Sequence, residues 1–382
     1  MNFNGILTLV AIFIGFSNAC PTNRSLSGHT NTITSFVNLI NGNIATGSLD
    51  SNIIIWNPYN GQMVKKIPLK QKINQLIQIK NGNLISGLEN GEIQILDPNT
   101  AKMVKTLKSA ENASISILLL IKDNILASST NSSSIKLWNI EKGILIRTIN
   151  EINIKYFHLL ADNQLATVIS LNKTKSKIKI WNIENGDLIQ TILFDENINL
   201  ALYLNNRMLA IVSDTPVIKL LDYNTGKLVF NFTSHFGKIN QLYNIDNEKL
   251  ASVSTDKTIK VWNYKNRTLI KTIYSDDHIS KVQPLTVGFV IALSLDNKLS
   301  VWQINNTDLI KEVEIINANN LYKIKDLYVA VLNHNNYDIA VFDYTAKKCL
   351  QSPIDKEGAF KYLLQTIGVG FVSVYQIITG KI

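Results

Sequence analysis

Short apolar runs recur along the chain, rich in Ile, Leu, Val and Thr and separated by Asn, Asp, Gly and Ser. Between residues 239 and 272 they read Ile239–Tyr243, Lys249–Val253, Thr258–Trp262 and Thr268–Thr272. Such lengths and compositions predict β-strands, and no segment sustains a helical period. Every fourth run closes on Trp or an apolar stand-in, followed by Asn, Asp or Gln. The slot holds Trp56, Leu96, Trp138, Trp181, Leu221, Trp262, Trp302 and Phe342, spaced 40 to 43 residues apart, and it takes all 5 tryptophans of the protein. A fixed period of this length marks a repeat architecture.

The connections agree with strands. The first turn of each unit is built from Asn, Asp and Gly, as in Asn41-Gly42-Asn43 and Asn81-Gly82-Asn83, and Gly61, Gly143, Gly186 and Gly226 each stand five residues after the Trp slot. These residues tolerate the positive φ of tight hairpins. Each unit therefore reads as a four-stranded antiparallel meander, with strands a to d in chain order. One meander cannot bury both its faces, whereas units stacked face to face and closed into a ring leave only short edges. The sequence predicts an all-β, closed β-propeller of four-stranded antiparallel blades, with eight blades and nine as the alternative.

Three units carry a further polar set: His29, Ser48, Asp50 and Trp56; His235, Ser254, Asp256 and Trp262; and His278, Ser294, Asp296 and Trp302, with Asp and Trp always six residues apart. With Gly28-His29 before the first strand a, this pattern resembles the WD40 repeat family over residues 24 to 382. The resemblance implies that these residues are structural tetrads, a buried hydrogen-bond chain tying strands b and c to the loop before strand a. It implies the same framework role for the three histidines and aspartates rather than acid–base chemistry. The other units degrade the set, with Asn90 and Leu96, Thr130 and Ser132, Ser213 and Thr215, or Phe342 in its place.

A shortened ninth copy ends in Val374-Tyr375-Gln376 and lies within residues 358–382, while Arg24–Ser27 reads as a lone strand d. In WD40 proteins the N-terminal strand commonly completes the last blade, and the resemblance implies that clasp here. Cys20 would then lie near the closing blade, in reach of Cys349 for a disulfide.

Composition changes the picture little. The hydrophobic share of 46% suffices for a full core, and the net charge of +9 invites a nucleic-acid partner. However, the lysines are spread out. Lys136, Lys179, Lys219 and Lys260 occupy one repeated slot two residues before the Trp position, which reads as the wetter face of an outer strand, and no specific nucleic-acid surface is expected. Gly5–Phe16 is an uncharged apolar run followed by Ser17-Asn18-Ala19-Cys20. It reads as a signal peptide over residues 1–19, too short to span a membrane, with the propeller over 20–382. No Lys or Arg precedes the run, so a buried extra strand is the competing reading. Secreted or lumenal location is the expectation, cytoplasmic the alternative. The seven Asn-x-Ser/Thr sequons are what this Asn-rich composition produces by chance.

No phosphate-binding loop, nucleophile elbow or Cys-x-x-Cys occurs, and His158 and His334 have no second ligand at metal spacing. Neither cofactor nor metal is expected, nor an enzyme. What remains is a surface. The b–c and d–a loops share one face of such a ring, and WD40 proteins bind peptides and domains there. The fourth b–c connection runs 15 residues from Ala166 to Trp181 where most run 11, and it carries Lys173, Lys175 and Lys177. These lysines, with Leu49 and Leu295 beside the tetrad aspartates, are the candidate partner-binding residues. The expected function is a non-catalytic, monomeric scaffold for protein or peptide partners; the alternative is a secreted propeller that binds, or less readily hydrolyses, an extracellular ligand.

Overall fold

A computed structural model describes residues 24–343, apart from 109–111, 131–133, 162, 285–288, 297, 304–308, 315–317, 325–327 and 334–338. The signal-like segment, Cys20, Cys349 and the shortened ninth copy lie outside the described residues.

Described residues form eight four-stranded antiparallel sheets. After a short strand β1 (Arg24–Leu26), the first sheet takes β2 (Ile33–Asn38), β3 (Ile44–Ser48), β4 (Asn52–Trp56) and β5 (Met63–Pro68) in that order. Six further sheets repeat it through Glu314. The last contains Ala318–Ile324, Tyr328–Asn333 and Ile339–Asp343, and its fourth strand is β1, paired Arg24 with Val341 and Leu26 with Ile339. A register shift recurs where strand c meets strand d, between Ile55 and Trp56 and between Val261 and Trp262. Such a bulge adds local twist, so the outer strand turns across the sheet.

The core lies between sheets. In β4 the residues alternate: Ile53 and Ile55 pack on Ile73, Leu76, Leu84 and Leu88 of the second sheet. Ile54 and Trp56 pack on Ile324, Ile339 and Val341 of the eighth. Strand c is thus buried on both faces, which is why its apolar run is unbroken. Innermost strands would leave edge amides without partners, and side chains of neighbouring sheets take them up. Leu76 N–H donates to Ser35 Oγ at 2.8 Å and Val282 N–H to Gln241 Oε1 at 2.9 Å. Between the first and last sheets, Asn38 Nδ2 donates to the Lys323 carbonyl at 2.8 Å and Phe36 stacks on Tyr322 at 4.8 Å.

The glycines after the Trp slot do more than supply a turn. Gly143 and Gly186 hold φ of 73° and 78°. A Cβ would stand 2.6 Å from Lys105 Cδ at the first and 2.4 Å from Arg147 Cδ at the second. The missing side chain leaves room for a basic arm from the preceding sheet, which caps a turn carbonyl: Lys105 on Glu141 and Arg147 on Glu184. Where glycine is absent, Ala101 and Arg267 still adopt a φ of 61°, so the repeat geometry overrides the local preference.

The repeated lysine slot is not on a wet face. Lys136 and Lys260 are 5% and 6% exposed, held by Ser134 Oγ and Thr272 Oγ1, and Lys179 and Lys219 are half-buried on Glu151 and Glu196. Strand c is third in its sheet, and this slot shares a face with the tryptophan, directed at the preceding sheet. Burial of a lysine head there demands a polar partner, and each has one.

Candidate interaction surface

The hydrogen-bond chain starts at the tryptophans. Trp56 Nε1 donates to Thr46 Oγ1 at 2.9 Å, Trp138 to Ser128 at 2.8 Å, Trp181 to Thr167 at 3.0 Å and Trp262 to Ser252 at 2.8 Å. In two sheets the chain continues. His29 Nε2 meets Thr46 Oγ1 at 2.8 Å while its Nδ1 meets Asp50 Oδ2 at 2.8 Å. His235 repeats this with Ser252 at 2.6 Å and Asp256 at 2.8 Å. The hydroxyl member is therefore Thr46 or Ser252, not Ser48 or Ser254 as expected from sequence. Ser48 and Ser254 instead donate to the Asn31 and Gly237 carbonyls and accept from the Asp50 and Asp256 amides, which fixes the b–c turn. Residues two apart on a strand share a face, so both hydroxyls point the same way and only depth separates them.

One tautomer satisfies this chain. Nδ1–H donates to the carboxylate, Nε2 accepts the Thr46 or Ser252 hydroxyl proton, and that oxygen accepts the indole N–H. Burial lowers the pKa of His29 and His235 below 6.5, outweighing the adjacent aspartates. Burial pushes Asp256 up, but donation from Thr258, His235 and the Phe236 amide prevails and brings it down to about 2. Both shifts make acid destabilising. The unfolded histidines take up protons below 6.5 while the folded ones resist. The contribution of Asp256 is complete above 3.8 and is lost as pH falls through about 2. The melting temperature is expected to fall as pH drops through the histidine range, and in a His29→Gln, His235→Gln variant that step should shrink to the part left by His158, whose pKa burial also lowers. A step of unchanged size in the variant would refute the assignment.

The third tetrad expected from sequence is not built. Ala292 occupies the hydroxyl slot, and Trp302 Nε1 is buried with no hydrogen-bond partner among the described residues. His278 is exposed, and Asp277 takes its place in the turn by accepting the Asp296 amide at 3.0 Å. Ser294 donates to Asp296 within the turn. The fourth and fifth sheets use ion pairs instead. Glu151, 7% exposed, accepts from Lys177 at 3.1 Å and from Lys179, and Glu196 accepts from Lys219 and Ser213. Burial opposes ionisation of Glu151, but the two lysines hold its carboxyl below the usual range.

Those pairs bear on the fourth b–c connection. Its insertion is not a loose loop: Gln164–Ser170 and Ser176–Asn182 pair as far as Ser170 with Ser176, and Asn172 Oδ1 accepts from the Thr174 amide at the tip. Lys177 lies in the strand on Glu151, and Lys175 meets Asp195 at 2.9 Å. Only Lys173 remains exposed without a described partner, so the structure does not gather the three lysines into one cationic contact. The insertion lengthened both strands and so drew Lys177 into the sheet.

Among the described residues, the most exposed apolar side chain on the b–c and d–a face is elsewhere. Phe236 is 94% exposed, although its backbone is fixed by donation to Asp256 Oδ2 at 3.0 Å and by close packing of Gly237 on Thr255. Leu295 is 65% exposed, its amide bonded to the His278 carbonyl at 2.8 Å. Leu295 stands at the wall of a cleft of about 540 Å³, which Asn240, Gln241, Thr255, His278 and Lys281 also line. Leu49, beside the first tetrad, is half-buried. Sequence reasoning singled out Leu295 and missed Phe236 and Lys281. The signal for Phe236 was its place directly after a tetrad histidine, where the loop must turn outward. Among the described residues no three His, Cys, Asp or Glu side chains cluster as metal ligands, and no helix is long and apolar enough to cross a membrane.

Residues 20–57 and 226–263 match the family model of the WD40 repeat, described as WD domain, G-beta repeat. These are the two units whose tetrads are complete. Comparison with curated proteins gives no match. Among solved structures, the computationally designed Ika8 protein aligns with a TM-score of 0.71 at 20% identity, over 85% of this chain and 100% of that one. Sqt1 of Saccharomyces cerevisiae gives 0.68 at 12% identity, over 84% and 99%. The C-terminal WD40 domain of Sif2 gives 0.66 at 15%, over 82% and 96%. The fold is a β-propeller of four-stranded antiparallel blades, and two of its units match the WD40 repeat model.

Proposed function

We propose that this propeller is a non-catalytic interaction scaffold that presents its b–c and d–a face to protein or peptide partners. The observation that carries this reading is the pair of exposed apolar side chains, Phe236 and Leu295, held on fixed turns of that face, with Leu295 at the wall of a cleft. Exposed apolar groups on a rigid frame are a mark of an interface. The His–Asp pairs that could suggest acid–base chemistry support the same conclusion. The His29 side chain is fully buried and both its ring nitrogens are engaged, so neither can reach a substrate proton.

The scaffold itself we read as one closed ring of eight blades. Support comes from pairing of β1 with Ile339–Asp343 and from the shared core of the first and eighth sheets. Affinity capture with the full chain should retain partners that a Phe236→Asp, Leu295→Asp variant loses. Ile40 and Tyr59 are exposed on the opposite face, in the a–b and c–d turns, and their replacement by Asp should leave capture intact. If those opposite-face changes abolish capture while the first pair has no effect, the assignment of the face is wrong.

A further inference from the structure

The seventh sheet departs from the first and sixth at two framework positions, and both open onto the cleft. The first is the tetrad. With Ala292 in the hydroxyl slot, His278 has no inward partner and lies exposed at the cleft wall. The second is on the innermost strand. Ser35, Gln75, Gln241 and Lys281 occupy the same register position in four sheets, opposite Gly47, Gly87, Val253 and Leu293. Ser35, Gln75 and Gln241 each accept a backbone N–H from the next sheet, from Leu76, Leu118 and Val282. A lysine ammonium cannot accept. Lys281 is therefore released from that duty; it is half-buried, lines the cleft and has no carboxylate partner among the described residues.

Among the described residues no carboxylate pairs with it: Asp256 is engaged by His235 and Thr258, Asp277 by the Asp296 amide, Asp296 lies 3.6 Å from Lys298, and Asp276 is exposed with no ion pair to Lys281. The ionisable lining of the cleft is thus Lys281 and His278, both able to donate, and its wall is apolar at exposed Leu295. A half-buried ammonium without a counter-charge favours an anionic ligand, and a charge-assisted hydrogen bond is the strongest polar contact such a wall can offer.

We propose that the cleft between the sixth and seventh sheets binds a linear peptide segment in which an Asp or Glu carboxylate stands beside an apolar side chain. Lys281 and His278 take the carboxylate, while Leu295 covers the apolar group. Asn240, Gln241 and Thr255 supply backbone contacts along the floor. This rests on the proposed role of the loop face and assigns that face a ligand class.

The test is selection of a random 12-residue peptide library on the purified full chain, followed by anisotropy titration of the enriched peptides. Enriched sequences should place Asp or Glu within a few residues of Phe, Leu or Met. Changing that acid to its amide should weaken Kd at least about tenfold, as should Lys281→Gln, and the two changes together should add little more. Lys281→Gln installs the residue that the second and sixth sheets carry, so its melting temperature should match or exceed that of the wild type. Peptides without an acid, or binding indifferent to Lys281→Gln, would overturn the cleft assignment; if Phe236→Asp or Leu295→Asp still abolished that binding, the loop-face reading would survive. No enriched peptide, or binding that all these variants tolerate, would overturn both.

Discussion

Replacing Leu26 with Asp is expected to give a large fall in melting temperature, from a single change on a strand of only three residues. Leu26 is 1% exposed and sits among Ile33, Ile44, Ile54, Trp56, Ile324, Ile339 and Val341. Two sheets meet there, and β1 is the strand of the eighth sheet that runs directly on into β2 of the first. Loss of the leucine alone, as in Leu26→Ala, should cost about 2–5 kcal/mol through transfer and cavity terms. The carboxylate adds a further penalty of several kcal/mol, since none of the packed neighbours is charged. With β1 displaced, the Ile339–Asp343 strand becomes an exposed edge, so aggregation on heating should accompany the loss. Deletion of residues 20–28 should act in the same direction. Hydrogen exchange at the Ile339 and Val341 amides separates seam opening from general softening, because it should quicken there before it does in the fourth sheet. Leu193→Asp, at a site 72% exposed, is the control and should melt like the wild type. A Leu26→Asp melt equal to that control would show that β1 does not hold the seam.

Much of this architecture was legible because it depends on local rules repeated many times. The Trp beat, the Asn-Gly turns and the apolar alternation each recur, so an error in one unit is corrected by the next. Tertiary partnership was harder to read. Thr46 and Ser48 both carry hydroxyls on one face of β3, and nothing local says which meets Trp56. Comparison across units could have said: the residue ten before Trp is Thr46, Ser128 and Ser252 in three of the sheets where the indole is hydrogen-bonded, the fourth having an insertion. The His278 pattern misled because a loop motif matches whether or not its partner on strand b exists, and here that partner is Ala292. The lysine slot misled for a similar reason: alternation with apolar residues signals one wet face, yet strand c has a neighbouring sheet on each side. The partner of Lys179, Glu151, comes from a loop 28 residues earlier, which no periodicity encodes. At the candidate site, Leu295 was found by its position beside a turn aspartate. Lys281 emerges only when the hydrogen bonds between inner strands are known.

The second large effect lies in the sixth sheet, where Trp262→Ala is expected to destabilise by about 3–5 kcal/mol. Trp262 is 2% exposed, 4.8 Å from the Phe232 ring and 6.1 Å from His235, and it packs among Leu204, Leu250 and Tyr264. Alanine would leave a cavity between two sheets and remove the donor to Ser252. Phenylalanine isolates the second part. Trp262→Phe keeps most of the apolar area and should cost about 1–3 kcal/mol, for the lost bond and an imperfectly filled site. Trp302→Phe should behave differently, although the residue holds the same place in its own repeat. Its Nε1 has no partner among the described residues, so phenylalanine removes a buried orphan donor, and the change should be close to neutral. The converse change, Ala292→Ser, supplies the missing acceptor and should stabilise by about 1 kcal/mol. Urea unfolding of the four variants reads these differences directly. Equal losses for Trp262→Phe and Trp302→Phe would mean that the tryptophans act only as apolar wedges and that the hydroxyl contributes nothing. Unequal losses would place the stabilising role in the Trp–hydroxyl–His–Asp chain, and would explain why the sheet that lacks it can expose His278 at the cleft without losing its fold.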